Sequence, residues 1–273
     1  MTRGRPPGGA CGRVGAARGR LADSRSMDSE RSTHGEPPER QSVQGATAAG
    51  GLPAAFRARL AVAACLAVTG CGLFLVDVPV ATWFRNHRLP GDLARLVNLS
   101  EAFAHGLAVA VLLGVTASLD PVLRQARRWP AARLELARLV AAAYGGGLVV
   151  DLVKAVVTRV RPRAVDLGAI VNAFDTFDVT TAAAVAGGGL LGKSADLMSF
   201  PSGHSAVAAG LATALAWKYP HGTATFALLA AAAGLQRVAS SAHYPSDVAF
   251  GAAIGVAVAA ICLGGRRPLA PRD

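Results

Sequence analysis

Three short segments carry residue types that can handle a phosphate group. The first is Lys154, followed seven positions later by Arg161 and Pro162. Seven residues is about two helical turns, so both cations can project from one face while a helix lasts. Pro162 marks where that helix should give way. Lys154 alone reads two ways: as a functional intramembrane cation, or as a snorkelling side chain or a partner of Asp151 one turn earlier. Arg159 and Arg163 read as interfacial charges.

The second segment is Pro201-Ser202-Gly203-His204-Ser205. A Ser-Gly pair opening a helix offers free backbone N–H groups and the positive end of the helix dipole to a phosphate oxygen. The same residues also make an ordinary N-cap. His204, one step into that helix, is placed to hand a proton to a leaving oxygen. The third segment runs from Arg237 through His243 to Asp247. His243 and Asp247 are four apart, so a helix starting near Pro245 would bring their side chains together. A carboxylate accepting the imidazole N–H fixes the tautomer and makes the other ring nitrogen more nucleophilic. Asp247 can equally cap that helix. Arg237 adds a second guanidinium fork suited to phosphoryl oxygens.

Together these residues describe one site. Lys154, Arg161 and Arg237 supply positive charge, Ser202 and the Gly203 backbone supply hydrogen bonds, and His243 and His204 can act as nucleophile and acid. Phosphoryl transfer asks mainly for positioning and for stabilisation of spread negative charge. No group of Asp and Glu is spaced to hold magnesium, and the His pair lacks zinc-type spacing. The sequence therefore implies a metal-free route that uses no cofactor.

The elements that must position these residues belong to a membrane. Hydrophobic residues make up 52% of the 273, and only 16% are charged, against about 25% in a soluble domain. The net charge of +11 raises a nucleic-acid partner. However, ten Arg and five acidic residues sit in the first 59 positions, and the other charges lie between apolar runs, never interleaved with aromatics. A nucleic-acid partner is excluded, and the cations read as charges that orient membrane helices. Cys11, Cys65, Cys71 and Cys262 include no C-x-x-C pair and read as small apolar residues.

Residues 1–56 are rich in Arg, Gly, Pro, Ser and Glu without apolar periodicity, which predicts a disordered basic cytoplasmic tail; Met27 is an alternative start. Residues 57–265 form the membrane domain, and 266–273 a short cytoplasmic C-terminal tail. Within the domain six apolar stretches begin near Leu60, Ala102, Leu139, Ser202, Thr223 and Val248. The fold class is thus all-α, a polytopic bundle of about six transmembrane helices. The third to fifth stretches are short for a span of about 20 residues, and their polar ends are the site residues themselves. The run from Thr180 to Gly192 is too short and Gly-rich for a span and reads as loop. Counted from Arg57 onward and with both termini inside, eleven Lys or Arg lie on the inner side and nine on the outer. Setting aside Lys154, Arg161 and Arg237 leaves six outside, a bias that puts the termini in the cytoplasm and the site on the outer face of the cell membrane. Ala and Gly along the spans predict close helix packing.

The three motifs resemble the pattern of the type 2 phosphatidic acid phosphatase superfamily: Lys-x6-Arg-Pro, Pro-Ser-Gly-His and Arg-x5-His-x3-Asp, in that order and with every fixed position matched. The motifs span 154–247, and the six-span frame extends the resemblance over roughly 60–265. The resemblance implies that His243 attacks phosphorus, that Asp247 orients it, and that His204 protonates the leaving oxygen and then activates water. Lys154, Arg161, Ser202, Gly203 and Arg237 would hold the phosphate. It also implies lipid phosphate or diphosphate substrates and no metal. Two features depart from the pattern: Gln236 stands where many members have Ser, and the connection from Pro162 to Pro201 is long. The same motifs serve a lipid phosphotransferase, while a non-catalytic lipid-binding protein would be expected to lack one of His204, His243 and Asp247.

Overall fold

Long runs of Ala, Leu and Val favour helix, and in lipid a helix satisfies its backbone polar groups internally. The computed structural model describes residues 52–178, 180 and 195–270. Among them are eight α-helices: α1 Ala54–Leu73, α2 Asp77–Asn86, α3 Gly91–Leu99, α4 Gly106–Leu119, α5 Pro130–Val156, α6 Gly203–Lys218, α7 Thr223–Ala239 and α8 Pro245–Leu263. The described residues contain no strand, only a single parallel bridge between Arg159 and Met198. The fold is all-α, as expected. The tail up to residue 51 and the Gly-rich run after Thr180 fall outside the described residues.

Each of the six apolar stretches lies on a helix, namely α1, α4, α5, α6, α7 and α8. By length and composition α1, α5 and α8 can each cross a bilayer, and Gly91–Phe103 with Gly106–Leu119, bent by 71°, makes a fourth candidate. With 16 and 17 residues, α6 and α7 are shorter; at about 1.5 Å per residue they fall below a ~30 Å hydrocarbon core. The count of six is therefore approximate. In the case of α6 the reason is visible: it runs between two polar clusters, starting at buried Ser202 and ending at buried Lys218.

The centre of the bundle is α6, with α5, α7 and α8 against it and α1 outside on α8. The main core joins Leu113 of α4, Leu139, Ala142 and Ala143 of α5, Leu211 and Leu215 of α6, and Ala259 and Leu263 of α8. Small residues set these distances. A Cβ on Gly251 would collide with the Ser202 backbone, and one on Gly255 with the Ala206 carbonyl. Without side chains at these two positions, α8 lies close along α6, and the start of α8 meets the start of α6. The backbone records this contact, since Ser202 N donates to the Asp247 carbonyl at 3.0 Å.

Helix α1 begins at Ala54, and Arg59 donates to the Gly264 carbonyl at 2.8 Å, tying the first helix to the end of the last. The residues after α8 are also held: Trp217 Nε1 donates to the Arg266 carbonyl at 2.8 Å, and Leu269 N to Glu135 at 2.7 Å.

Candidate active site

Helix α5 ends at Val156, six residues before Pro162. The intervening chain leaves the helix because its backbone groups find other partners. Arg159 N donates to Leu197 O at 3.0 Å, Ser199 N to Arg159 O at 3.0 Å, and Arg161 N to Asp196 O at 2.8 Å. This extended pairing, rather than a continued helix face, carries Arg161 to the position that Lys154 also reaches. It also draws in Ser199, the residue beneath His243.

Lys154 at the end of α5, Arg161, Gly203 and His204 at the start of α6, Arg237 near the end of α7, and His243 all line one cavity of about 370 Å³. Asp151, His105 and Gly106 also line it. A Cβ on Gly203 would stand 3.7 Å from Lys154 Nζ, so the ammonium lies beside the N-terminus of α6. The Nε of Arg161 is buried without a hydrogen-bond partner. An orphaned buried donor costs about 1–3 kcal/mol, and an anion in the cavity would satisfy it. A larger neighbouring cavity of about 560 Å³ is lined by Arg85, His87, Arg88 and Arg163, but it contains no pair of groups suited to acid–base work.

The imidazole of His243 is almost fully buried. Its Nδ1 is 2.7 Å from the Ser199 carbonyl and 3.6 Å from Asp247 Oδ2. A carbonyl oxygen only accepts, so Nδ1 carries the proton and Nε2 keeps its lone pair. Burial lowers the His243 pKa below the usual histidine range, against the pull of Asp247, which keeps the ring neutral. The Asp247 carboxylate is itself heavily engaged. Oδ2 accepts from Ser199 Oγ at 2.6 Å and from Tyr244 N at 2.9 Å, and Oδ1 accepts from Arg159 at 2.5 Å. Asp247 therefore both caps α8 and stands beside His243.

Arg159, expected at the interface, is fully buried. Its guanidinium forks between Asp247 and Asp77, the latter at 2.7 Å, and donates to Thr176 Oγ1 at 2.9 Å and Ser246 Oγ at 2.8 Å. The rings of Tyr244, Phe177 and Phe74 lie 4.1, 4.7 and 5.3 Å from its Cζ. No spacing rule links Asp77 to Arg159, 82 residues apart, and the only local hint was an acid closing an apolar run.

Ser202 is fully buried and does not line the cavity. Its Oγ accepts from Ser205 Oγ at 2.9 Å and, weakly, from Ser205 N at 3.4 Å, so the hydroxyl serves as the N-cap of α6. On the far wall Arg237 meets two residues that the motifs do not include. Its Nη2 donates to Glu101 Oε1 at 2.7 Å and its Nε to Gln236 Oε1 at 2.5 Å. Glu101 Oε1 also stands 4.0 Å from His204 Nε2. Among the described residues, no three His, Cys, Asp or Glu side chains are grouped to hold a metal ion.

This arrangement can bind an anion against three cations and present it to a neutral imidazole nitrogen, with a second imidazole across the same cavity. Comparison with curated proteins and with solved structures returns no match. A family model does match, over residues 135–268, a stretch that holds α5 from Glu135 onward and all of α6, α7 and α8, and with them every motif residue in the cavity. The chain belongs to the PAP2 superfamily.

Proposed function

We propose that this protein is an integral membrane phosphatase that hydrolyses a lipid phosphate or diphosphate through a phosphohistidine on His243. The observation that carries this reading is the shared cavity. The neutral His243, three cations and His204 converge there, and the buried Arg161 Nε awaits an acceptor.

In the first half-reaction, the Nε2 lone pair of His243 attacks phosphorus and the bond from phosphorus to the leaving oxygen breaks. His204, entering this step as the imidazolium, gives that oxygen its proton and is left neutral. Lys154, Arg161, Arg237 and the N–H groups at Gly203 hold the equatorial oxygens, where negative charge spreads. Ser202 contributes by capping the helix that presents those N–H groups. As His243 gains positive charge, Ser199 O and Asp247 stabilise it through Nδ1. In the second half, His204 takes a proton from water, the water oxygen bonds to phosphorus, and the P–N bond breaks, releasing phosphate and restoring both rings. The apolar helices suit a substrate delivered from the membrane, with the site opening on its outer face.

The test is phosphate release by the purified protein in detergent with excess chelator. The panel is phosphatidic acid, phosphatidylglycerol phosphate and undecaprenyl diphosphate, with His243→Ala beside wild type. Release from one lipid by wild type and a loss of about 10⁴-fold or more in the variant would support the reading. Full activity in folded His243→Ala would sink the phosphohistidine route. Strict magnesium dependence would argue against a route that relies on these side chains alone.

A further inference from the structure

A phosphate-binding guanidinium ought to face the phosphate, yet Arg237 already has an anion. Glu101 lies on the short 3-10 turn Ser100–Phe103, just before the bend that leads into α4, and thus on a different element from any motif residue. Its side chain is about one-third exposed. One of its oxygens accepts from Arg237 Nη2 at 2.7 Å and is also the oxygen 4.0 Å from His204 Nε2. The other accepts from Gln236 Nε2 at 3.2 Å, and Gln236 Oε1 in turn receives Arg237 Nε at 2.5 Å. Gln236 and Glu101 thus occupy the Nε and Nη2 donors of Arg237. The single oxygen shared by Arg237 and His204 lies where a phosphoryl oxygen held by Arg237 and facing the acid would also lie.

We infer that Glu101 is an exchangeable stand-in for phosphate: it holds Arg237 in the empty site and yields the guanidinium to the substrate's phosphate. This rests on the phosphatase reading above and adds to it a positioning residue that sets how tightly the site holds any phosphate. The physical basis is competition. A carboxylate and a phosphate cannot both accept from the same N–H, and two anions within a few ångströms repel each other in a partly desolvated cavity. Arg237 is kept preorganised by Glu101 and Gln236 while the site is empty, so it does not collapse onto another acceptor. The same carboxylate opposes retention of the product, inorganic phosphate. Lys154 and Arg161, which line the cavity with Arg237, are the ligands that hold the anion throughout.

The probes are inorganic phosphate and vanadate, titrated into the full-length protein in detergent by calorimetry, so the natural lipid need not be known. Glu101→Gln keeps the shape and the hydrogen-bond acceptor and removes the charge. It should tighten both anions about tenfold, the effect of one charge at this range in an intermediate dielectric. Adding Arg237→Ala should erase that gain, because the competition runs through Arg237. Glu101→Asp retains the charge on a shorter stem and should stay within about threefold of wild type; it keeps the inference testable if Glu101→Gln does not fold. Anion affinity unchanged in Glu101→Gln, or weakened in it, overturns the inference, as does a tenfold gain in Glu101→Asp. If wild type binds neither anion and Arg161→Ala makes no difference, the phosphatase reading itself fails, a result distinct from failure of the Glu101 inference alone.

Discussion

The bundle buries ion pairs at both of its ends, and the two are built differently. At the end where α5 and α7 finish and α6 and α8 begin, Arg159 joins Asp77 and Asp247, with Ser199, Ser246 and Thr176 completing the bonds. At the other end, Lys218 at the close of α6 meets Glu135 at 2.5 Å and Asp120 at 3.5 Å. Tyr219 donates to Asp120 at 2.9 Å, and Leu269 N closes onto Glu135. Both clusters are nearly dry, and the ionised groups of both are paired. The difference lies in what stands beside them. Among the described residues the Lys218 cluster meets Tyr219, core and C-terminal residues, whereas the Arg159 cluster backs onto His243 and, beyond it, a cavity with an unpartnered Arg161 Nε. A buried charge is thus no sign of chemistry by itself. It becomes one where an adjoining group is left with unmet valence toward open space.

The sharpest way to break this comparison is to remove the central cation at each end. Arg159→Met strands two buried carboxylates, which should destabilise the protein by about 3–5 kcal/mol. It also frees Asp247 from the fork that fixes its orientation, so turnover per folded molecule should drop about 100-fold or more. Thermal unfolding in detergent, measured beside phosphate release, checks both. Wild-type turnover in folded Arg159→Met would mean that the cluster only holds the fold together. Lys218→Met should destabilise comparably, since Glu135 and Asp120 lose their cation, yet leave turnover per folded molecule within about twofold. A large loss of turnover from Lys218→Met would erase the distinction between the two ends.

The motif residues could be read from the sequence because their spacing is local. His243 and Asp247 meet through one turn at the start of α8, and Gly203 and His204 open α6 as expected. The six apolar stretches could be read for a similar reason, each being one helix. The ties between distant segments could not be read. Arg159 reads as interfacial because it sits among other arginines near the expected end of a span, and its partners are 82 and 88 residues away. Glu101 stood just outside an apolar run, and nothing local points it toward Arg237. Gln236, a departure from the family pattern, becomes intelligible only once Glu101 is beside it. Helix α5 stops short of Pro162: a helix usually ends at or before the residue preceding a proline, and here the competing backbone partners at Asp196 and Leu197 end it sooner.

A subtler difference between the two ends concerns protons. Burial lowers the His243 pKa, so Nε2 stays unprotonated below the ordinary imidazole value of about 6.5. Protonation removes the lone pair, and the acid limb of kcat/KM should therefore lie below that value, with activity lost only as pH falls through it. Two phosphate esters of different second pKa separate the enzyme's limb from the substrate's, because only the enzyme's stays in place. A limb at or above 6.5 would show that the ring is better solvated than its surroundings suggest.

The smallest expected effect tests where the sequence reading and the geometry part company. By motif Ser202 is a phosphate ligand, and by position it is a buried cap whose hydroxyl is engaged with Ser205. Ser202→Ala should then cost about 1 kcal/mol of stability, the usual value of an N-cap. It should lower phosphate or vanadate affinity less than threefold, because Gly203 N–H, Lys154 and Arg161 remain in place. A direct ligand would behave otherwise: loss of a hydrogen bond to a charged group is worth about 1.5–3 kcal/mol, or more than tenfold in anion affinity. Calorimetry on the same variant separates the two, since a cap acts on the unfolding midpoint and a ligand acts on the dissociation constant. A tenfold loss of phosphate affinity at unchanged stability would return Ser202 to the cavity and require its side chain to turn when the anion binds.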